Sequence, residues 1–109
     1  MTDQNTPVEH RLKLRNTILA DYEDVREIMD LVYPDLGGGW RREQFASQIA
    51  RFPEGQICIE DNGKVVAGAI SLVVDYSRYG DNHTYDQITG NGYLTTHDPN
   101  GDTLYGVDV

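Results

Sequence analysis

The stretch Gln56–Asp75, QICIEDNGKVVAGAISLVVD, consists of two apolar runs separated by Asn62-Gly63, and it decides the fold. A two-residue type I′ turn needs positive φ at both central positions, and Asn followed by Gly adopts them with the least strain. The stretch therefore predicts a β-hairpin. With Asp61 opposite Lys64, the predicted register continues through the pairs Ile59–Val66, Cys58–Ala67 and Ile57–Gly68.

Alternation of side chains along these two strands predicts one strongly apolar face and one mixed face. We expect helices to cover the apolar face and other close contacts to cover the mixed face. The apolar face contains Ile57, Ile59, Val66, Ile70, Leu72 and Val74. The mixed face contains Cys58, Glu60, Val65, Ala67, Ala69, Ser71 and Val73.

Composition limits the kind of protein this is. The chain has 109 residues, enough for one domain, and its 18 acidic and 9 basic residues give a net charge of −9. Nucleic acids and anionic membranes need basic surfaces, so we expect neither as a partner. No apolar run approaches the ~20 residues of a membrane helix. A single cysteine, Cys58, excludes an internal disulfide, and we expect a cytoplasmic protein.

The first part of the chain predicts a tail, a strand and a helix. Residues 1–10 are polar and aperiodic, as in a flexible tail. Residues 11–16 alternate, which directs Leu12 and Leu14 inward from a strand. Asp21 is a candidate N-cap, with Asp24 completing a weak capping box, and Pro34 ends the helix. Its apolar face is formed by Val25, Ile28, Met29 and Val32.

A second helix is predicted over residues 41–51, after a glycine-rich connection. Its buried side consists of Phe45, Ile49 and Phe52. The glycines Gly37–Gly39 follow a helix rather than a strand, which favours a loop over a phosphate-binding site.

Residues 76–101 are rich in tyrosine and glycine and show little periodicity. We expect one short strand or turn at 88–95 and a firm turn at Asp98–Gly101. The tyrosines suit two roles equally well: they line a pocket for a small organic ligand, or they pack the loop onto the domain.

Metal binding is not predicted. Asp98, Asn100 and Asp102 match the start of a calcium loop, but Thr103 occupies the position of its glycine. His83 and His97 lack the close spacing of paired metal ligands.

The sequence closes with a strand from Thr103 that stops at Val109 without a turn or cap. We therefore expect residues 11–109 to be the N-terminal portion of a domain that ends in mid-strand. An unpaired edge strand invites pairing with another copy, which predicts a homodimer through this strand. Asp108 is either satisfied structurally or placed for proton transfer.

Three segments carry a resemblance to a known family. LKLRNTILADYEDVREIMDLVY (12–33) resembles the first strand and helix of GNAT-type N-acetyltransferases, ICIEDNGKVVAGAISLVVDY (57–76) resembles their second and third strands, and TLYGVDV (103–109) resembles the start of the fourth. A closer similarity is to acetyltransferase-like regions fused to carbon-nitrogen hydrolase (nitrilase-like) domains in bacteria. It rests on the segments YPDLGGGW (33–40), RFPEGQICIEDNGKVVAGAISLVVDY (51–76) and TGNGYLTTHDPNGDTLYGVDV (89–109). The implied fold is α/β (α+β), a truncated GNAT-like fold with a mainly antiparallel sheet and two helices packed on it.

The resemblance implies transfer of acetyl from acetyl-CoA to a small-molecule amine, without a metal. Asp108, or a water chain from it, is then the candidate catalytic base, and the resemblance implies that the backbone at Val107 and Val109 faces the cofactor. The resemblance implies that Tyr33 and Trp40 border the acceptor pocket, and Tyr93 of the tyrosine group is the third candidate substrate-binding residue.

Two further expectations concern activity. In the family, an Arg/Gln-x-x-Gly-x-Gly/Ala loop after the fourth strand leads into a helix and binds pyrophosphate. No such loop follows Asp108 here, so we expect the chain to be inactive alone. The alternative is a non-catalytic ligand-binding or regulatory domain of a larger carbon-nitrogen hydrolase.

Overall fold

Four strands form one antiparallel sheet in the order β1-β2-β3-β4, and two helices separate β1 from β2. The computed structural model describes residues 9–34 and 39–108, so the expectations for residues 1–8, for Gly37 and Gly38, and for Val109 lie outside it. The strands are β1 (Leu12–Asn16), β2 (Ile57–Asp61), β3 (Lys64–Val74) and β4 (Thr103–Asp108). The helices are α1 (Tyr22–Val32), α2 (Arg42–Arg51) and α3 (Tyr85–Thr89). The predicted class, a mainly antiparallel sheet with helices packed on it, is confirmed.

The hairpin turn agrees with its sequence, but the register beyond it does not. Asn62 has φ 53° and Gly63 has φ 87°, as a type I′ turn requires, and Asp61 lies opposite Lys64. A β-bulge then leaves Val66 without a partner. The observed pairs are Glu60–Val65, Ile59–Ala67, Cys58–Gly68 and Ile57–Ala69. The predicted pairs from Ile59 onward are therefore wrong by one residue.

The bulge changes which residues share a face, because a shift of one position turns a strand's side chains over. We call the side of the sheet that faces α1 and α2 the inner face and the opposite side the outer face. On the inner face, Cys58 and Val65 are buried together with Ile70, Leu72 and Val74. Ile57 and Ile59 were expected there, but they lie on the outer face.

The prediction for the first strand is also wrong. Leu12 and Leu14 are 67% and 66% exposed on the outer face, because Leu14 pairs with Ile59 across β1 and β2. Leu104 of β4 is 67% exposed on the same side, opposite Val73.

The core lies on the inner face of β3, where α3 and the turn after it cover the strand. Leu72, Val74, Ile88 and Leu94 are completely buried in one cluster. The short helix α3 overlaps only the start of residues 88–95, where the sequence predicted a short strand or turn, and the rest of that stretch is mainly turn. Its start is fixed by a reciprocal capping box, in which the Thr84 hydroxyl accepts from Gln87 N and the Gln87 side chain accepts from Thr84 N.

Asp21 is the N-cap residue of α1, as predicted, but its side chain makes no capping hydrogen bond and belongs instead to an ion-pair network. The Asp21 carboxylate accepts two hydrogen bonds of 2.8 Å from the Arg15 guanidinium and one from the Ile18 amide. Arg15 also donates to Glu60 at 2.6 Å, which ties α1 to β1 and β2. Asp24 does not complete a capping box, because its carboxylate accepts from the Val65 amide at 3.1 Å. Hydrogen bonding to Arg15 lowers the pKa of Asp21 below its usual value.

Replacing Asp21 should alter how stability depends on pH. Because the folded-state pKa of Asp21 lies below the unfolded value of about 3.9, its contribution is complete above that value and is lost as the pH falls through the folded-state pKa. In urea unfolding at pH 5 and pH 3, Asp21→Asn should therefore lose less stability on acidification than the unsubstituted chain. Asp30→Asn, at an exposed position of α1, is the matched control. Equal acid sensitivity in all three proteins would contradict this role for Asp21.

Candidate functional site

An apolar cleft of about 220 Å³ separates α1 and α2 from the centre of β3. The four residues whose spacing predicted one helical face of α1 all line it, which explains why Val25 and Ile28 are only half-buried. Phe45 and Ile49 of α2 close one side, and the backbone from Val66 to Ile70 forms the floor.

Gly68 keeps the floor of the cleft open. It pairs with the buried Cys58, so its missing side chain belongs to the inner face. A Cβ placed on Gly68 would meet nothing closer than the Ile57 carbonyl oxygen, at 3.6 Å. The space above β3 therefore follows from the absence of a side chain at this position.

Asp108 and Tyr33 meet at the rim of the cleft. Asp108 lies at the end of β4 opposite Ile70, and the Tyr33 hydroxyl donates to its Oδ1 at 3.2 Å. Among the cleft-lining residues within 9–34 and 39–108, Asp108 is the only charged one. Its negative charge and this hydrogen bond raise the pKa of Tyr33.

Tyr85 is a further residue beside Asp108, and the sequence had placed it only in the general tyrosine group. Burial raises the pKa of Tyr85 to about 12, and the charge of Asp108 adds to the shift. Its hydroxyl donates to the Val107 carbonyl at 3.4 Å. The signal that locates it is the Thr84–Gln87 capping box, since Tyr85 is the first residue of α3.

The remaining predicted site residues lie elsewhere. Trp40 is partly buried against the core cluster and its carbonyl accepts from the Tyr22 hydroxyl at 2.6 Å. The Tyr93 hydroxyl accepts from Arg41 at 3.0 Å, and neither Trp40 nor Tyr93 is part of the cleft lining. Val107 packs against the core cluster. Contact of Trp40 and Tyr93 with a substrate, and of Val107 with a cofactor, stays a prediction.

Residues Gln87–Gly92 match the Gln-x-x-Gly-x-Gly pattern of pyrophosphate-binding loops. They lie at the end of a helix, however, whereas the binding loop leads into the start of one. Gly90 is the left-handed C-cap of α3, with φ 60°. The Gly90 and Asn91 amides donate to the Asp86 carbonyl, and the Gly92 amide donates to the Thr89 hydroxyl. Since internal acceptors occupy these amides, the segment does not present the free donors that bind phosphate at a helix start.

The histidines of the long segment have structural partners. His97 Nδ1 accepts from the Val73 amide at 3.0 Å, and its ring stacks on Phe52 at 4.3 Å. His83 Nδ1 lies 2.6 Å from the Gly80 carbonyl oxygen. Across the two stretches that the structure describes, no three His, Cys, Asp or Glu side chains converge as a metal site would require, and no helix is long and apolar enough to cross a membrane.

The sheet order and the two helices between β1 and β2 are those of a GNAT-like fold. The solved loading GNATL domain of CurA from Lyngbya majuscula has this fold, with a TM-score of 0.71 over 88% of this chain and 45% of that domain's chain, at 22% identity.

Two proteins of Bacillus subtilis (strain 168) are similar in sequence. The Probable hydrolase YhcX is 34% identical over 104 residues, which are 95% of this chain and 20% of YhcX. The Uncharacterized N-acetyltransferase YkwB is 34% identical over 101 residues, which are 90% of this chain and 45% of YkwB. The chain thus spans less than half of either relative. No protein-family profile matches it. The resemblance to a GNAT-type N-acetyltransferase region, of a kind also found in hydrolase proteins, is confirmed.

Proposed function

We propose that this chain forms part of an acetyltransferase domain that moves acetyl from acetyl-CoA to an amine. The observation that carries the proposal is the single carboxylate, Asp108, hydrogen-bonded to Tyr33 at the rim of a mainly apolar cleft. The similarity to YkwB, which is named as an N-acetyltransferase, supports the same reaction class.

In the proposed reaction, the amine attacks the thioester carbonyl directly. The amine nitrogen forms the new C–N bond, the C–S bond breaks, and the leaving thiolate takes up the proton that the nitrogen loses as it becomes an amide. An ammonium ion has no lone pair, so the nitrogen must first lose a proton, and Asp108 or a water molecule held by it would accept that proton. The Tyr33 hydroxyl fixes the orientation of the carboxylate through their 3.2 Å hydrogen bond.

Acetyl-CoA would lie against the end of β4, near the backbone of Val107 and Val109. The amides of Gln87–Gly92 are already hydrogen-bonded, so this segment offers no pyrophosphate site. All nine basic residues lie between Arg11 and Arg78, away from the end of β4 in sequence. For these reasons we also propose that the 109-residue chain alone does not catalyse acetyl transfer.

Thiol release from acetyl-CoA tests this proposal on the 109-residue chain and on the longer protein in which the proposal places it. We expect amine-dependent release from the longer protein and only the uncatalysed rate from the chain. Calorimetric titration of the longer protein with acetyl-CoA distinguishes an acetyltransferase from the competing class, a non-catalytic ligand-binding domain. Absence of both binding heat and thiol release would overturn the acetyltransferase proposal.

A further inference from the structure

We propose that the cleft binds the apolar body of a monoamine about the size of a phenylalkyl group, with the ammonium group at Asp108. This inference deepens the proposed function and rests on it for the identity of the substrate as an amine. It names the class of acceptor: one cationic end and one compact apolar end, rather than a polyamine or an amino acid.

The size of the ligand follows from the volume of the cleft. A cavity of about 150 Å³ lined by aliphatic and aromatic side chains binds benzene. The cleft here has about 220 Å³ and is lined mainly by apolar groups from α1, α2 and β3. It therefore has room for a phenyl ring and a short alkyl link.

The charge of the ligand follows from the charge of the lining. Asp108 is the one charged group of the described lining and can pair with one ammonium group. The other lining side chains are mainly apolar, among them Ile28, Met29 and Phe45, and the polar ones, Thr17, Gln48 and Gln56, are uncharged. A second ammonium group placed among them would lose its hydration without gaining a counter-charge, which is costly. A carboxylate at the rim would be repelled by Asp108. The cleft therefore discriminates against diamines and against acids of the same shape.

Calorimetric titration of the 109-residue chain at pH 7 tests the inference without any catalysis. The ligands are 2-phenylethylamine, 3-phenylpropionate with a similar body and opposite charge, and 1,4-diaminobutane with two charges and no ring. We expect 2-phenylethylamine to bind at least about tenfold more tightly than either comparison ligand. Equal or tighter binding of the diamine, or no detectable binding of 2-phenylethylamine, would overturn the inference.

Two glycine variants show whether the ligand occupies the cleft. Gly68→Val adds a Cβ and two methyl groups above the floor, and the Cβ at this position has ordinary contacts only. Gly106→Val adds the same groups on β4, where a Cβ meets nothing within 4 Å and does not face the cleft. We expect the first variant to weaken binding of 2-phenylethylamine about tenfold and the second to leave it unchanged. Both strands tolerate valine, and circular dichroism of the two variants verifies their fold.

Failure of the inference and failure of the proposed function give different results. If the chain binds 2-phenylethylamine in a Gly68-dependent way and the longer protein transfers no acetyl group, the ligand site stands and the acetyltransferase proposal fails. If the longer protein acetylates 1,4-diaminobutane in preference to 2-phenylethylamine, the acetyltransferase proposal stands and the inferred acceptor class is wrong.

Discussion

Leu72→Ala should lower the free energy of unfolding by about 3 kcal/mol, whereas Leu104→Ala should change it by less than about 0.5 kcal/mol. Both leucines lie in the paired region of β3 and β4, and both substitutions remove the same atoms. Leu72 is completely buried in the cluster with Val74 and Ile88, so its truncation leaves a cavity. Leu104 is 67% exposed on the outer face, so its truncation creates none.

Urea unfolding followed by circular dichroism measures both changes at one pH and protein concentration. The comparison also reports on the outer face in solution. If Leu104→Ala costs as much as Leu72→Ala, the outer face is covered by another surface under those conditions. A small loss of unfolding free energy in Leu72→Ala would contradict the assignment of the core to the inner face of β3.

Asp108→Asn should reduce acetyl transfer by the longer protein about 10²- to 10⁴-fold, which is the usual contribution of a general base. The asparagine keeps the size of the side chain and can still accept from the Tyr33 hydroxyl, but it does not take a proton from the amine. Tyr33→Phe removes only the 3.2 Å hydrogen bond to the carboxylate, so its effect should be much smaller.

Steady-state kinetics with a saturating amine, together with calorimetric titration of acetyl-CoA, check this expectation. The drop should appear in kcat, while the affinity for acetyl-CoA stays the same. Asp30→Asn, which removes an exposed carboxylate from α1, is the control for a change in net charge alone. Full activity in Asp108→Asn would remove Asp108 from the mechanism, and equal losses in both variants would point to charge instead of proton transfer.

The parts of the fold that depend on local chemistry could be predicted from the sequence. Asn62-Gly63 determines the turn because few other residue pairs adopt positive φ twice, and the helical spacing of Val25, Ile28, Met29 and Val32 identified the face of α1 above the sheet. The bulge at Val66 has no comparable signal. Leu12 and Leu14 alternate like core residues, and only the pairing of β1 with β2 shows that they face outward.

The sequence predicts the candidate site in part, and it indicates the two central residues, Asp108 and Tyr33, by different signals. Asp108 is a candidate because it is a carboxylate on a predicted strand, whereas the family resemblance implies Tyr33 as a substrate-binding residue. They are 75 residues apart in the chain, and their contact depends on where α1 ends over the sheet. Tyr85 was missed as a site residue because the helix that positions it was predicted as loop.

The unpaired Val66 makes the length of β3 matter as much as its composition. Deleting this one residue would allow β2 and β3 to pair without a bulge. If β3 keeps its buried face, the Cys58 thiol would then turn from the inner to the outer face. Arg15, which pairs with Cys58, would turn with it and could no longer reach Asp21 at the start of α1. Substitutions at Val66 keep the count of residues and are tolerable, whereas single-residue insertions or deletions in this hairpin are not. Length variation among functional variants of this domain should therefore fall in its loops.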